Sequence, residues 1–135
     1  MTTIAIIENY VSMIEKYLDI TATFKERPFE EIESDDILRG ALERYLYLII
    51  QASTDCADAI ISIRKLRKPE SLRDSFLILA EKKIIERELS ERLGNLTGFR
   101  NILSHGYVAL DYKKVKLALE EGTKDIQAFI EAVRP

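Results

Sequence analysis

The octapeptide RNILSHGY, residues 100–107, contains the chain's only histidine and combines side chains suited to phosphate chemistry. Arg100 carries a planar fork of donors that matches phosphate oxygens, and His105 can exchange a proton near neutral pH. Asn101 can hold a phosphate or orient the imidazole, and Ser104 is a weaker polar neighbour. Together, Arg100 and His105 suit the cleavage of a phosphodiester bond.

The spacing of this pair restricts how one site can use both side chains. Five residues along an ideal helix correspond to about 140° of rotation and about 7.5 Å of rise, so Arg100 and His105 do not share a face. A common site requires arginine's reach, a helix end that unwinds near Gly106, or residues from a second subunit across a two-fold axis. The dimer needs the least distortion, and we therefore predict a composite site at a homodimer interface.

The same residues also have an ordinary structural interpretation. Arg100 can form a surface salt bridge, His105 can cap the last carbonyls of a helix, and Gly106 can be a left-handed helix stop. Spacing alone does not decide between the two interpretations.

Helical periodicity predicts the elements that must position these residues. Apolar residues at steps of three and four over residues 4–18 predict an amphipathic helix, and the aperiodic residues 25–33 predict a loop. Ser34 is the expected N-cap of a long helix from Asp35 to about Arg67. Because the centre of that helix is apolar nearly all round, one side is expected in the core and the other at a subunit interface.

The second half of the chain predicts three further helices. Ser71 is the expected N-cap of a helix to about Ile85, and another helix covers about residues 88–104. Asp111 is expected to cap a last helix, which Gly122 bends.

These elements predict an all-α fold. Nothing alternates at period two for long enough to predict a sheet, and a chain of 135 residues can bury one core without disulfides. We therefore expect one domain over residues 1–135, an antiparallel four- to five-helix bundle that is dimeric.

Composition narrows the classes of chemistry. Cys56 is spaced as a small core residue rather than a reactive thiol, and one Cys and one His are too few for a zinc site. Carboxylate side chains could still bind a magnesium ion, but we predict neither a metal site nor a cofactor. The absence of a signal-like start, and of an apolar run of about 20 residues, predicts a cytoplasmic protein without a membrane partner.

The net charge of -3 and the pI near 5.3 provide no global field for nucleic acid, so an RNA contact must come from a local cluster. The basic residues of the RKLRK run at 64–68 either contact a phosphate backbone or stabilise the negative end of a helix dipole. The interaction with the dipole is the favoured interpretation. Asp55 and Asp58 are expected to orient interface arginines or to solvate a helix face.

Two stretches resemble one family. RNILSHGY is similar to the R-x4-H-x-Y signature of HEPN-domain proteins, and more narrowly of the HepT toxin family, which pairs with an MntA-type nucleotidyltransferase antitoxin. RGALERYLYLIIQASTDCADAII, residues 39–61, resembles the long helix of that family, including Asp55 and Asp58 after the apolar run.

This resemblance implies a homodimeric, metal-independent endoribonuclease toxin of a type VII toxin-antitoxin pair. Arg100 and His105 of both subunits would line a cleft at the dimer interface, with Asn101 as a polar auxiliary and RNA as the substrate. The resemblance places Tyr107 at the tyrosine to which the antitoxin adds AMP; as an alternative, Tyr107 packs beneath the helix end.

Two other functions remain open from the sequence. The chain can be a non-catalytic helical module that presents a nucleotide or substrate to a nucleotidyltransferase. It can also be a scaffold whose dimer interface is its whole function.

Overall fold

Two long helices carry the fold. The computed structural model describes residues 2–105 and 110–135. The N-cap of helix α1 (Thr3–Phe24) is Thr2, whose hydroxyl accepts from the Ala5 N–H at 3.1 Å. The N-cap of helix α3 (Asp36–Ile63) is Asp35, whose carboxylate accepts from two backbone N–H groups of the first turn. The two helices pack along each other, so the core forms between them.

Shorter helices complete the bundle around this pair, and no strand forms in the described parts of the chain. Their bounds are Phe29–Glu33 for α2, Leu72–Glu81 for α4, Arg87–Ser104 for α5, Tyr112–Leu117 for α6 and Thr123–Val133 for α7. A π-helical turn, Ala118–Gly122, joins α6 to α7. Leu96 of α5 lies so close to Gly122 that an added Cβ would meet its Cδ2 at 3.0 Å. The bend predicted at Gly122 stays a prediction, and the structure has a π-helical turn that ends at this residue under close helix packing.

The C-terminal helix runs antiparallel to α1. Lys25, just after α1, donates to Thr123 at the start of α7 at 2.9 Å, while Glu15 and Arg134 pair at 3.2 Å near the other end of α7. Phe76 of α4 meets Phe129 of α7 edge to face, with ring centroids 5.5 Å apart. These contacts close one continuous apolar core, and the predicted all-α bundle is confirmed.

Several predicted boundaries were wrong. Residues 25–33 are not all loop, because Phe29–Glu33 forms a short helix. Ser34 ends that helix rather than capping the next one, and Asp35 is the N-cap. The long helix ends at Ile63 instead of near Arg67, and α4 ends at Glu81 instead of Ile85.

Both early helix ends have the same backbone cause. Lys65 and Lys83 adopt the left-handed region, with φ of 54° and 58°. The following N–H groups, of Leu66 and Ile84, donate back over five residues to helix carbonyls at 3.0 and 2.9 Å. This arrangement is a Schellman motif, which closes a helix before its apolar pattern runs out.

Of the described helices, α3 alone is long and apolar enough by length and composition to cross a membrane. More than half of the relevant stretch, 56%, is buried inside the protein. Because the buried core helix of a soluble protein passes the same test, this is weak evidence for a membrane span.

Candidate active site

Arg100 lies where the last turns of α5 cross the middle of α3. Its Nε and Nη2 both donate to Oε1 of Gln51, at 2.8 and 2.5 Å. Nη2 also donates to the Tyr47 hydroxyl at 3.2 Å, and Nη1 donates to Oδ1 of Asn101 at 3.0 Å. The guanidinium is partly buried, and side chains from two helices fix its orientation.

Tyr47 contributes its ring as well as its hydroxyl. The Arg100 guanidinium carbon lies 5.1 Å from the ring centroid, and that of Arg44, one turn earlier on α3, lies 5.4 Å away. A phenol ring within about 6 Å of a guanidinium attracts it electrostatically. Two positive side chains are therefore gathered around one tyrosine.

The other motif residues follow Arg100 on the surface. Asn101, Ser104 and His105 are all exposed. The Ser104 hydroxyl donates to the Asn101 carbonyl at 2.9 Å, so it binds its own helix. His105 is the residue after the last helical position, and its backbone N–H donates to the Ile102 carbonyl at 3.2 Å. Tyr107, the predicted site of AMP addition, and Gly106 lie outside the described residues.

A cleft of about 350 Å³ lies beside this cluster, between the first half of α3 and the end of α5. It is lined by Gly40, Glu43, Arg44, Tyr47, Leu103 and Ser104. Tyr47 therefore contacts Arg100 and, together with Arg44, also lines the cleft, which is large enough for part of a ligand.

The two aspartates of α3 have different partners. Asp55 accepts from Nε2 of Gln51 at 2.8 Å, which links it through Gln51 to Arg100. Asp58 accepts from the Ser75 hydroxyl at 2.6 Å and so ties α3 to α4. Within the described residues, only Asp55 of the two aspartates is linked by hydrogen bonds to the group formed by Arg100, Gln51 and Tyr47.

The RKLRK run contains an arginine with a structural task. Arg67 donates to both carboxylate oxygens of Asp74 at 2.8 Å and to Glu81 at 2.9 and 3.2 Å. It therefore joins the first turn of α4 to its last residue, a role that neither interpretation of the run included.

Gln51 and Tyr47 are functional candidates that the sequence reasoning did not single out. Tyr47, Gln51 and Asp55 recur every four residues and hence share one face of α3. The polar Gln51 within an apolar run was the available signal, but its partner is 49 positions away.

Cys56 is buried, and burial raises the pKa of its thiol to about 12. The prediction of a core cysteine is therefore confirmed by the burial of the side chain, and a thiol with a raised pKa stays protonated near neutral pH. Among the described residues, no group of three or more His, Cys, Asp or Glu side chains is placed to hold a metal ion.

Comparisons with known proteins identify relatives of this chain. Two curated nucleases align with the chain: the mRNA nuclease HepT of Shewanella oneidensis is 30% identical over 77% of this chain and 78% of its own, and the tRNA nuclease HepT of Aphanizomenon flos-aquae is 31% identical over 95% and 87%.

Solved structures match over almost the whole fold. A toxin-antitoxin crystal structure with AMP-PNP superimposes with a TM-score of 0.90 at 26% identity, covering 96% of this chain and 98% of that one. The tri-AMPylated Shewanella oneidensis HEPN toxin in complex with MNT antitoxin gives 0.88 at 27% identity, covering 99% and 98%. The family model described as Ribonuclease HepT-like matches residues 7–133. The chain belongs to the HepT-like ribonuclease family.

Proposed function

We propose that this chain is the ribonuclease toxin of a toxin-antitoxin pair and cleaves RNA at a site built from Arg100, Asn101 and His105. The observation that carries the proposal is the placement of Arg100, a partly buried guanidinium held by Gln51 and Tyr47 near the end of α5, the helix that carries exposed Asn101 and leads into exposed His105. A fixed guanidinium and an exposed imidazole are the groups that suit a reaction at a phosphate. The related nucleases act on mRNA and tRNA, which supports RNA as the substrate class.

In the proposed reaction the RNA supplies its own nucleophile. The 2′-oxygen attacks the adjacent phosphorus, its proton passes to a base, and the bond from phosphorus to the 5′-oxygen breaks as that oxygen receives a proton. The products are a 2′,3′-cyclic phosphate and a 5′-hydroxyl. Arg100 would stabilise negative charge on the phosphate oxygens in the transition state, and His105 would transfer the protons.

A homodimer accounts for the two proton transfers. One base and one acid are needed on opposite sides of the phosphorus, and a single chain has one histidine. Two chains related by a two-fold axis would contribute two imidazoles and two guanidiniums to one groove. We place this activity in the cytoplasm, where RNA is available.

Control of the toxin is the second part of the proposal. We infer that a nucleotidyltransferase partner adds AMP to Tyr107, as the resemblance implies. The match to a tri-AMPylated toxin in complex with its antitoxin supports this form of control. Each added phosphate would bring negative charge two residues from His105 and repel an RNA backbone.

The test measures cleavage of single-stranded RNA by the purified chain in the presence of EDTA. Wild type should cleave and leave 2′,3′-cyclic phosphate ends, whereas Arg100→Ala and His105→Ala should lose at least about 100-fold in rate without losing the fold. Arg92→Ala is the matched control, because it removes the same charge from the same helix at a surface pair with Asp125. It should retain wild-type cleavage.

Further arms separate the alternatives. Preincubation with the partner and ATP should block cleavage in wild type but not in Tyr107→Phe. Full activity in His105→Ala would contradict the proposed site. A wild-type chain that binds the partner but never cleaves RNA would instead be the binding module.

A further inference from the structure

We propose that Gln51, fixed by Asp55, is a positioning residue that orients the Arg100 guanidinium without neutralising its charge. The inference rests on the proposed function and adds a residue outside the RNILSHGY motif.

The Asp55 carboxylate determines which way the Gln51 amide points. An ionised carboxylate only accepts hydrogen bonds, so the amide must turn its NH2 group toward Asp55, where Nε2 lies 2.8 Å from Oδ1. The amide oxygen then faces Arg100. It accepts from Nε and Nη2, two donors on one edge of the guanidinium, and this pair of bonds fixes the plane of the group.

The acceptors around Arg100 in the described chain are uncharged. They are the Gln51 amide oxygen, the Tyr47 hydroxyl and the Asn101 amide oxygen. Arg67 provides the contrast, because the carboxylates of Asp74 and Glu81 form ion pairs with it and offset its positive charge. The positive charge of Arg100 thus remains available for a phosphate. Asp55 does not contact Arg100 in this arrangement and affects it only through Gln51.

This arrangement is useful for catalysis because a long flexible side chain is set before the substrate arrives. A preorganised donor stabilises developing charge without reorienting during the reaction. Gln51 does not reach the phosphate in this scheme and acts only through Arg100.

Two substitutions separate orientation from charge. Gln51→Met preserves length but removes the acceptor, so Arg100 keeps its charge and loses its fixed plane. Gln51→Glu keeps an acceptor but adds a carboxylate, so Arg100 stays ordered and is neutralised. Each should lower kcat roughly 10- to 100-fold with KM changed by less than about threefold.

The chain offers a matched control in α7. Gln127 donates to Glu131 at 3.0 Å with the same spacing of four residues, and both side chains are exposed. Gln127→Met removes an equivalent amide–carboxylate bond away from Arg100. It should cleave RNA at the wild-type rate.

A spectroscopic readout reports on the arginine directly. In wild type the Arg100 Nε–H proton, assigned by its loss in Arg100→Lys, should give a distinct NMR signal that exchanges slowly with water. Gln51→Met should speed this exchange at least tenfold, and Gln127→Met should not change it.

Asp55→Asn keeps Gln51 but frees its amide to rotate, so it should show a smaller loss of kcat and faster Nε–H exchange. It decides the question if Gln51→Met fails to fold. Wild-type kcat and wild-type exchange in these variants would overturn the proposal. If wild type itself never cleaves RNA, the proposed function fails, while the exchange measurement still tests the positioning.

Discussion

Asp74 is held in its charged form by its neighbours. Arg67 donates two hydrogen bonds to its carboxylate and the Glu70 backbone N–H donates a third. These contacts, the Arg67 side chain foremost, lower the pKa of Asp74 to about 2. An aspartate in an unfolded chain titrates near 3.9. The contribution to stability is therefore complete above pH of about 4 and is lost as the pH falls toward 2.

Asp74→Asn should reveal this linkage. The amide retains an acceptor for Arg67 and loses the charge, so the free energy of unfolding should fall by about 1 kcal/mol or less at pH 7, as for a surface pair. The difference from wild type should shrink as the pH is lowered from 4 to 2. Urea unfolding at several pH values measures it, and a difference that is independent of pH would contradict the assignment.

At the scale of elements, the Schellman turns at Lys65 and Lys83 end two helices that the apolar pattern would extend. A left-handed conformation costs an L-residue about 1–2 kcal/mol, and glycine usually takes this position. Here the cost is offset because Leu66 and Ile84, the next residues, pack on the core. The chain therefore has strained helix ends that a substitution can relieve.

Lys65→Gly should stabilise the protein. Glycine adopts positive φ without strain, which stabilises the folded state, but it also loses more chain entropy on folding. The net gain in the free energy of unfolding should be about 0.5–1 kcal/mol. This corresponds to a rise in Tm of about 2–5 °C. Lys65→Ala is the control and should give no increase, since alanine has the same Cβ penalty. Equal Tm values for the two variants would contradict the backbone explanation.

These ends also show how far sequence reasoning reaches. Periodicity located the long helices, and residue chemistry singled out Arg100, Asn101 and His105 as a candidate site. The end at Lys65 was missed because lysine carries no stop signal and the turn depends on Leu66 reaching the core. Gln51 was missed for a related reason. Its pairing with Arg100 depends on where α5 crosses α3, which no local pattern encodes.

At the scale of the whole molecule, the proposed site requires two chains. One chain provides a single imidazole and a single oriented guanidinium near the end of α5. In the proposed dimer, Arg100 of one protomer would act with His105 of its partner. This arrangement makes a prediction about mixed dimers that a site within one chain does not.

Arg100→Ala and His105→Ala homodimers should each be inactive, and mixing them after reversible dissociation should restore cleavage. By random pairing about half of the dimers would be mixed, and each would hold one guanidinium and one imidazole on opposite protomers. Recovered activity should therefore stay well below wild type, because a mixed dimer keeps one imidazole for one proton transfer and lacks the second imidazole for the other. Cleavage rates of the mixture, with dimer exchange followed by mass spectrometry, measure this.

The matched control replaces His105→Ala with a chain carrying both substitutions. Mixed dimers with Arg100→Ala then contain no Arg100, so they should remain inactive although exchange is the same. Wild type mixed with the doubly substituted chain tests the opposite arrangement, because Arg100 and His105 then lie in one protomer. Those mixed dimers should be inactive if the site is shared. Half of wild-type activity per mixed dimer would instead place a complete site within each chain.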